Sequence, residues 1–115
     1  MPFIRLETSA LVTSGDQEDL IRQLSKITAD VIGKPENYVM ASLSEAKMTM
    51  GGEPGPAAFL EIRSIGGLDK KVNREITKQV SELLKEKLRI PSDRIYVCFS
   101  SIEAQNWGWN KSTFG

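Results

Sequence analysis

The second residue of the chain, Pro2, is a candidate for a chemically reactive group. Removal of an initiator methionine before a small residue leaves the proline nitrogen as a free secondary amine. An α-amino group has a pKa of about 8 in water, and burial or a nearby cation lowers that value. The neutral amine removes a proton from a carbon beside a carbonyl, or attacks the carbonyl itself. If Met1 is retained, the Pro2 nitrogen is an amide, and we predict almost no such activity.

The composition excludes the more usual catalytic groups. The chain has 115 residues, with no histidine and one cysteine, Cys98. A histidine base, an intrachain disulfide, a cysteine-rich zinc site and a CxxC redox pair are therefore excluded. A terminal amine would supply the missing base, and proton abstraction beside a keto group needs no metal or cofactor. Cys98 itself is expected to be a buried or channel-facing thiol.

Charge and hydropathy bear on the partners and the location of the protein. The 15 basic and 15 acidic residues cancel, so we expect no general attraction to nucleic acid or to an acidic membrane. Residues 1–7 are too charged for a secretory signal, and no stretch reaches the ~18 apolar residues of a membrane helix. We therefore expect a soluble cytoplasmic protein, with non-classical secretion left open.

Three further positions are candidates for assisting the base. Lys34 follows the first predicted helix. It is either a solvated lysine near the helix C-terminus or a cation that binds a carboxylate and lowers the pKa of a nearby amine. Residues 64–67 join a strand to a helix, where backbone N–H groups either hold an anion or form a plain turn. Tyr96 lies on the opposite strand face from Pro2. It would reach a Pro2 site most easily from another subunit, and otherwise it is a packed interface tyrosine.

The elements that carry these residues repeat at a shift of 56 positions. Phe3 falls on Phe59 and Pro35 falls on Pro91, and each half reads strand, helix, strand over about 2–50 and 58–106. Capping-box spacing at residues 14–17 precedes an apolar stripe in the first helix. The repeat predicts one α/β domain over residues 1–115, made of two pseudo-symmetric β-α-β units.

The strand alternation predicts a four-stranded sheet with one apolar face. Two helices cover one face of such a sheet. The other face carries Phe3, Tyr38, Phe59 and Tyr96 among polar residues such as Arg63. No helix is left to cover this face, so we expect it to lie inside an oligomer. The aromatic tail, residues 106–115, is expected to pack on its own sheet or on a neighbouring subunit.

The chain resembles the macrophage migration inhibitory factor and D-dopachrome tautomerase family, of the tautomerase superfamily, over its whole length. The segments that carry the resemblance are Met1-Pro2-Phe3, Gly33-Lys34-Pro35, Gly51-Gly52, Ser64-Ile65-Gly66, residues 91–96 and residues 108–114. The resemblance implies a homotrimer, with three sheets around a central channel and sites at the subunit interfaces.

The resemblance also implies an activity, keto–enol tautomerisation of phenylpyruvate-type α-keto acids with Pro2 as general base. Lys34 and the Ile65 backbone N–H would hold the carboxylate, and aromatic residues would frame the ring. The implied substrate-binding residues are Lys34, Ile65, Tyr96 from a neighbour, Cys98, Trp107, Trp109 and Phe114.

Departures from the family pattern bear on substrate range. Cys98 stands where the vertebrate cytokine has asparagine, and Trp107 replaces a small aliphatic residue at the site mouth. Ala57 and Leu60 stand where the family has a Cys-x-x-Cys pair, so thiol redox activity is not expected.

Two other functions are left as alternatives. One is cytokine-like signalling through receptor binding, which the family supports but no residue here demands. The other is hydration or dehalogenation of an unsaturated acid. Such sites usually add arginines beside the proline. The sequence ties no extra arginine to Pro2, with Arg5 and Arg94 as the candidates for a place near it, so this function ranks third.

Overall fold

The helices and strands follow the two halves of the repeat. The computed structural model describes all residues, 1–115. The first half contains β1 (Pro2–Thr8), α1 (Ser14–Ile32) and β2 (Met40–Glu45), and the second contains β3 (Ala58–Ser64), α2 (Lys70–Leu88) and β4 (Ile95–Ser101). The starts of β1 and β3, and of α1 and α2, lie 56 residues apart. A 3₁₀ turn precedes the last strand of each half.

The two halves join into one mixed sheet with the strand order β2-β1-β3-β4. Strands β1 and β3 are antiparallel at the centre, and Ile4 faces Ile62 across that pair. The outer pairs, β1–β2 and β3–β4, are parallel. A parallel pair needs a crossover connection, and α1 and α2 are those crossovers. The predicted sheet of two β-α-β units is therefore confirmed.

Each helix begins with a side-chain cap at the equivalent position of its half. The Thr13 hydroxyl accepts from the Asp16 N–H at 3.3 Å, and the Asp69 carboxylate accepts from the Val72 N–H at 2.8 Å. The predicted capping box started at Ser14, so it was wrong by one residue. Thr13 and Ser14 are both capping residue types, and spacing alone did not separate them.

Each helix also ends at equivalent positions, in left-handed backbone. Gly33 has a φ of 81° and Arg89 a φ of 58°. Glycine adopts this conformation freely, whereas a residue with a side chain is destabilised by about 1–2 kcal/mol. The Arg89 N–H donates to the Lys85 carbonyl at 3.0 Å and the Ile90 N–H to the Leu84 carbonyl at 3.3 Å, which offsets part of that cost.

The core lies between the predicted apolar sheet face and the two helices. Side chains from all three layers are fully buried. They are Ile4, Leu6, Leu60 and Ile62 from the sheet, Leu20 and Leu24 from α1, and Ile76, Val80 and Leu84 from α2. Burial of apolar side chains is the main stabilising contribution of such a layer.

The opposite sheet face has no helix over it, as predicted. Arg5 pairs with Glu7 at 3.1 Å and with Glu61 at 3.5 Å, and Arg63 pairs with Glu61 at 3.2 Å. Tyr96, at the edge of this face, is 63% exposed. The expected burial of this face in an oligomer stays a prediction.

The aromatic tail folds back as a short hairpin. Strands β5 (Gly108–Trp109) and β6 (Ser112–Thr113) pair across a turn at Asn110 and Lys111, which have φ values of 51° and 69°. The Phe114 N–H then donates to the Trp107 carbonyl at 3.1 Å. The hairpin places the tail at the end of the sheet where β1 begins. Neither α1 nor α2 is long and apolar enough to cross a membrane.

Candidate active site

A cleft of about 470 Å³ lies at the N-terminal end of β1. A volume of this order is typical of small-molecule sites. Its walls come from the ends of three strands and from the tail. The lining residues are Met1, Pro2, Phe3, Asn37, Tyr38, Val39, Met40, Arg63, Ile102, Asn106, Trp107, Gly108, Trp109 and Phe114.

Pro2 is held rigidly in this cleft because it is the first residue of a central strand. Its side chain is buried, and it pairs with Ser64 across the β1–β3 ladder. The Ile65 N–H donates to the Met1 carbonyl at 3.3 Å, a bond that exists only while Met1 is retained. The ladder pairing belongs to β1 itself, and a terminus tied into a sheet does not fray.

Lys34 acts electrostatically on the chain terminus. Burial, and then the positive charge of Lys34, lower the pKa of the Met1 α-amino group below its ordinary value. Lys34 is in none of the six ion pairs of the chain, so its ammonium group is free to bind an anion.

Gly67 packs closely against the end of α1. A β carbon on this residue would clash with the Ile32 Cγ2 at 2.6 Å and would make an ordinary contact with the Lys34 Cε at 3.5 Å. Its φ of 79° also favours glycine. The turn at residues 64–67 therefore lies against Lys34, and its Ile65 N–H donates to Met1, which lines the cleft. Lys34 and Ile65 themselves are not among the lining residues.

Three aromatic side chains form a continuous wall of the cleft. The Trp109 and Phe114 rings stack, with centroids 5.7 Å apart and planes at 9°, and the Tyr38 ring meets Trp109 edge-on at 5.9 Å. Offset-stacked and edge-to-face pairs are the favourable geometries for such rings. The three rings give the cleft an apolar aromatic side.

Residues 1–115 match the family described as macrophage migration inhibitory factor, MIF, over their whole length. The chain belongs to the MIF family. The MIF homolog of Brugia malayi is 33% identical over 116 residues and is covered completely by the match, as is this chain. The homolog of Trichuris trichiura is 35% identical over 115 residues, which cover 99% of this chain and 100% of the relative.

Solved MIF structures have the same fold. The MIF homologue of Prochlorococcus marinus superposes with a TM-score of 0.93 at 39% identity, over 98% of this chain and 99% of that one. The MIF-like protein of Entamoeba histolytica gives a TM-score of 0.94 at 31% identity, over 98% of each chain. The family assignment and the fold class that the sequence predicted are thus confirmed.

The structure places the predicted site residues in two groups. Pro2, Trp107, Trp109 and Phe114 line one cleft, with Lys34 and Ile65 next to it. The other group is Tyr96 and Cys98, which lie on β4, at the far edge of the sheet from β2, and do not line the cleft.

The side chains of this second group belong to the uncovered sheet face. Cys98 is exposed in the single chain because no helix covers that face, so it is not buried within one subunit, and its expected place facing a channel stays a prediction. Contacts of Tyr96 and Cys98 with a ligand at Pro2 require a second subunit.

Two residues that line the cleft were predicted from the sequence only as part of the uncovered sheet face. Tyr38 and Arg63 were both placed on the uncovered sheet face by strand alternation. Tyr38 instead ends the 3₁₀ turn Glu36–Tyr38, four residues after Lys34. Arg63 ends on that face as predicted, but near enough to the end of β3 to line the cleft.

The arginines considered for the place beside Pro2 are engaged elsewhere. Arg5 lies in the ion-pair network of the uncovered face. Arg94 donates to the carbonyls of Glu53 and Pro56 in the connector between the halves, at 3.0 and 2.8 Å. Neither of these arginines lines the cleft, whereas Arg63 does.

Proposed function

We propose that the protein is a cofactor-free keto–enol tautomerase of phenylpyruvate-type α-keto acids, with the amine of Pro2 as its general base. One observation carries this proposal. Pro2 heads a central strand and lines a 470 Å³ cleft that has an unpaired lysine on one side and an aromatic wall on the other. In an α-keto acid with an aryl group, the carboxylate would bind the lysine and the ring would pack on the aromatic wall.

The reaction needs one base and one position that holds negative charge. The neutral Pro2 amine takes a proton from C3 of the keto acid, and the C–H electrons form the C2–C3 double bond. The keto oxygen becomes an enolate oxygen, which receives a proton to give the enol. Lys34 and the Ile65 N–H bind the carboxylate and thereby orient C3 toward the amine, and orientation of this kind lowers the barrier.

The surroundings of the terminus favour the neutral form of an amine. Burial and the charge of Lys34 lower the pKa of the Met1 α-amino group, and we expect both causes to act on the Pro2 amine one residue later. The lowered pKa leaves a larger neutral fraction of amine at pH 7 than an exposed terminus has. Activity is expected to rise with pH through the pKa of this amine and to level off above it.

Retention of Met1 would block the site in three ways. The Pro2 nitrogen would be an amide, which is not a base. The Met1 carbonyl accepts the Ile65 N–H, so that donor is occupied, and Met1 itself lines the cleft. Removal of one residue therefore creates the base, frees an anion donor and opens space together.

We also propose that the working unit is a homotrimer. The uncovered face carries exposed Tyr96 and Met40, and the predicted ligand contacts of Tyr96 and Cys98 need a neighbouring copy. Sedimentation equilibrium is expected to give three times the 12.8 kDa chain mass. A monomer at micromolar concentration that still has full activity would contradict the shared site.

The proposed activity is tested by comparing two preparations of the same chain, one with Met1 removed and one with Met1 retained. Intact mass distinguishes them, and ultraviolet absorbance follows the enol form of hydroxyphenylpyruvate. Only the processed chain is expected to accelerate tautomerisation above the buffer rate. Equal acceleration by both preparations would overturn the role of the Pro2 amine.

A further inference from the structure

Arg63 is a cation in the wall of the cleft. Ser64 is the ladder partner of Pro2, so Arg63 is the residue next to that partner and its side chain lies on the uncovered face. Lys34 does not line the cleft, and its charge acts on the terminal amine. Two cations therefore serve this end of β1, and Arg63 is the one in the cleft wall.

The Arg63 guanidinium has donors to spare. Its one hydrogen bond to protein is from Nη2 to the Glu61 Oε1, at 3.2 Å, and the group has five N–H donors in all. The same Glu61 oxygen lies 3.5 Å from the Arg5 Nη2. One carboxylate oxygen therefore serves two guanidinium groups, and Arg63, which is 51% exposed and lines the cleft, has donors left for a ligand.

We propose that Arg63 is a specificity-determining residue that gives the cleft a second anion-binding position. The substrate class that follows is the α-keto diacids, which would be accepted beside aryl α-keto acids; this extension rests on the tautomerase function proposed above. The keto-acid carboxylate lies toward Lys34 and the second carboxylate toward Arg63. Guanidinium groups bind carboxylates through paired, charge-assisted N–H···O bonds, which gives both affinity and orientation.

The proton transfer for a diacid is the same step with one added electrostatic demand. Pro2 takes a proton from the carbon between the keto group and the second carboxylate, and the C–H electrons shift to form the enolate. Negative charge then develops next to a carboxylate that is already charged. The Arg63 cation offsets this repulsion in the transition state, where it counts toward the rate.

The test compares two substrates in the wild type, Arg63→Gln and Arg63→Lys. Ketonisation of the enols of oxaloacetate, a four-carbon α-keto diacid, and of phenylpyruvate is followed by absorbance above the buffer rate. Loss of a charge-assisted hydrogen bond at Arg63→Gln is expected to lower kcat/KM for the diacid about tenfold and for phenylpyruvate less than about twofold. Arg63→Lys is expected to recover part of the diacid rate. Arg74→Gln, an exposed arginine on α2, is the matched control.

A binding measurement separates this inference from the proposed activity. Calorimetry with succinate and with phenylacetate, neither of which reacts, is expected to show weaker succinate binding at Arg63→Gln and unchanged phenylacetate binding. If the wild type turns over neither enol, the tautomerase proposal fails, and the calorimetry still decides the role of Arg63.

Three results would overturn the role of Arg63. They are equal losses on both substrates at Arg63→Gln, succinate binding that Arg63→Gln leaves unchanged, and a change of assembly mass that accompanies a loss on both substrates. The third result would show that Arg63 acts in subunit assembly through the uncovered face and not in substrate binding.

Discussion

The two halves of the chain share a backbone plan but not a chemistry. At positions 56 residues apart, Pro2 corresponds to Ala58 and Lys34 to Ile90. Pro2 and the half-buried Lys34 lie at the cleft, whereas Ala58 and Ile90 are core residues. The scaffold is therefore repeated, and the candidate site is made by the few positions at which the first half departs from the second.

The two 3₁₀ turns, Glu36–Tyr38 and Ser92–Arg94, also have the same backbone but different roles. Tyr38, at the end of the first turn, meets the Trp109 ring of the cleft wall. Its counterpart Arg94 donates instead to the connector carbonyls of Glu53, Gly55 and Pro56. One turn lines the ligand cleft and the other holds the two halves together. The two turns have the same backbone conformation, so their different roles come from their side chains.

The largest stability effect is expected where the halves are most alike, in the shared core. Leu20 and Ile76 are equivalent and almost fully buried. Alanine at either position leaves a cavity, and each change is expected to cost about 2–5 kcal/mol of unfolding free energy. Urea denaturation of both variants measures this.

Leu11→Ala is the control for the core pair, because Leu11 is 91% exposed. It is expected to change the unfolding free energy by less than about 0.5 kcal/mol. A cost at Leu20 several times that at Ile76 would show that the two halves do not contribute equally to one core.

The next largest effect is expected at Lys34, where the halves differ most. Lys34→Met keeps the apolar stem and removes the charge that lowers the pKa of the terminal amine. The pKa then rises, so more amine is protonated at pH 7 and the rising limb of the pH–rate profile moves to higher pH. Lost carboxylate binding adds a fall in kcat/KM of about tenfold to a hundredfold.

Lys78→Met is the control for the Lys34 change, because Lys78 is exposed on α2 and has no ion pair. Its profile is expected to match the wild type. An unmoved limb at Lys34→Met would show that Lys34 does not act on the base.

The smallest effect is expected at the helix caps, where the halves are again equivalent. Thr13→Ala and Asp69→Ala each remove a side chain that accepts a backbone N–H of the first turn. Each is expected to cost about 1 kcal/mol of unfolding free energy. Asp69 is expected to cost more, because its hydrogen bond is shorter and its charge favours a helix N-terminus. Thermal unfolding tests both variants, with Ser14→Ala as the control. A loss of about 1 kcal/mol of unfolding free energy at Ser14→Ala would show that Ser14 is the capping residue.

The fold was predictable from the sequence because its signals are local. Alternation in the strands and the apolar stripes of the helices recur after 56 residues, and the elements begin at the positions that this shift requires. The cap at Thr13 was misplaced by one residue because its neighbour Ser14 has a similar hydroxyl.

The site was predictable only in part because its wall is built from distant segments. Pro2 and Lys34 were found from their chemistry and from the family resemblance. Tyr38 and Arg63 enter the cleft only because the tail folds back over the end of the sheet, and strand alternation carries no information on that contact. The places of Tyr96 and Cys98 at a shared site stay predictions.

The central claim, that the amine of Pro2 is the base, is tested most directly by the tautomerisation rate of Pro2→Gly. Intact mass first shows that Met1 is absent from both the variant and the wild type. Glycine keeps an N-terminal amine but loses the secondary amine and its fixed φ. We predict a fall in kcat/KM toward phenylpyruvate of about a hundredfold or more, in the range of general-base contributions. Equal rates for the processed wild type and the processed Pro2→Gly chain would contradict the claim.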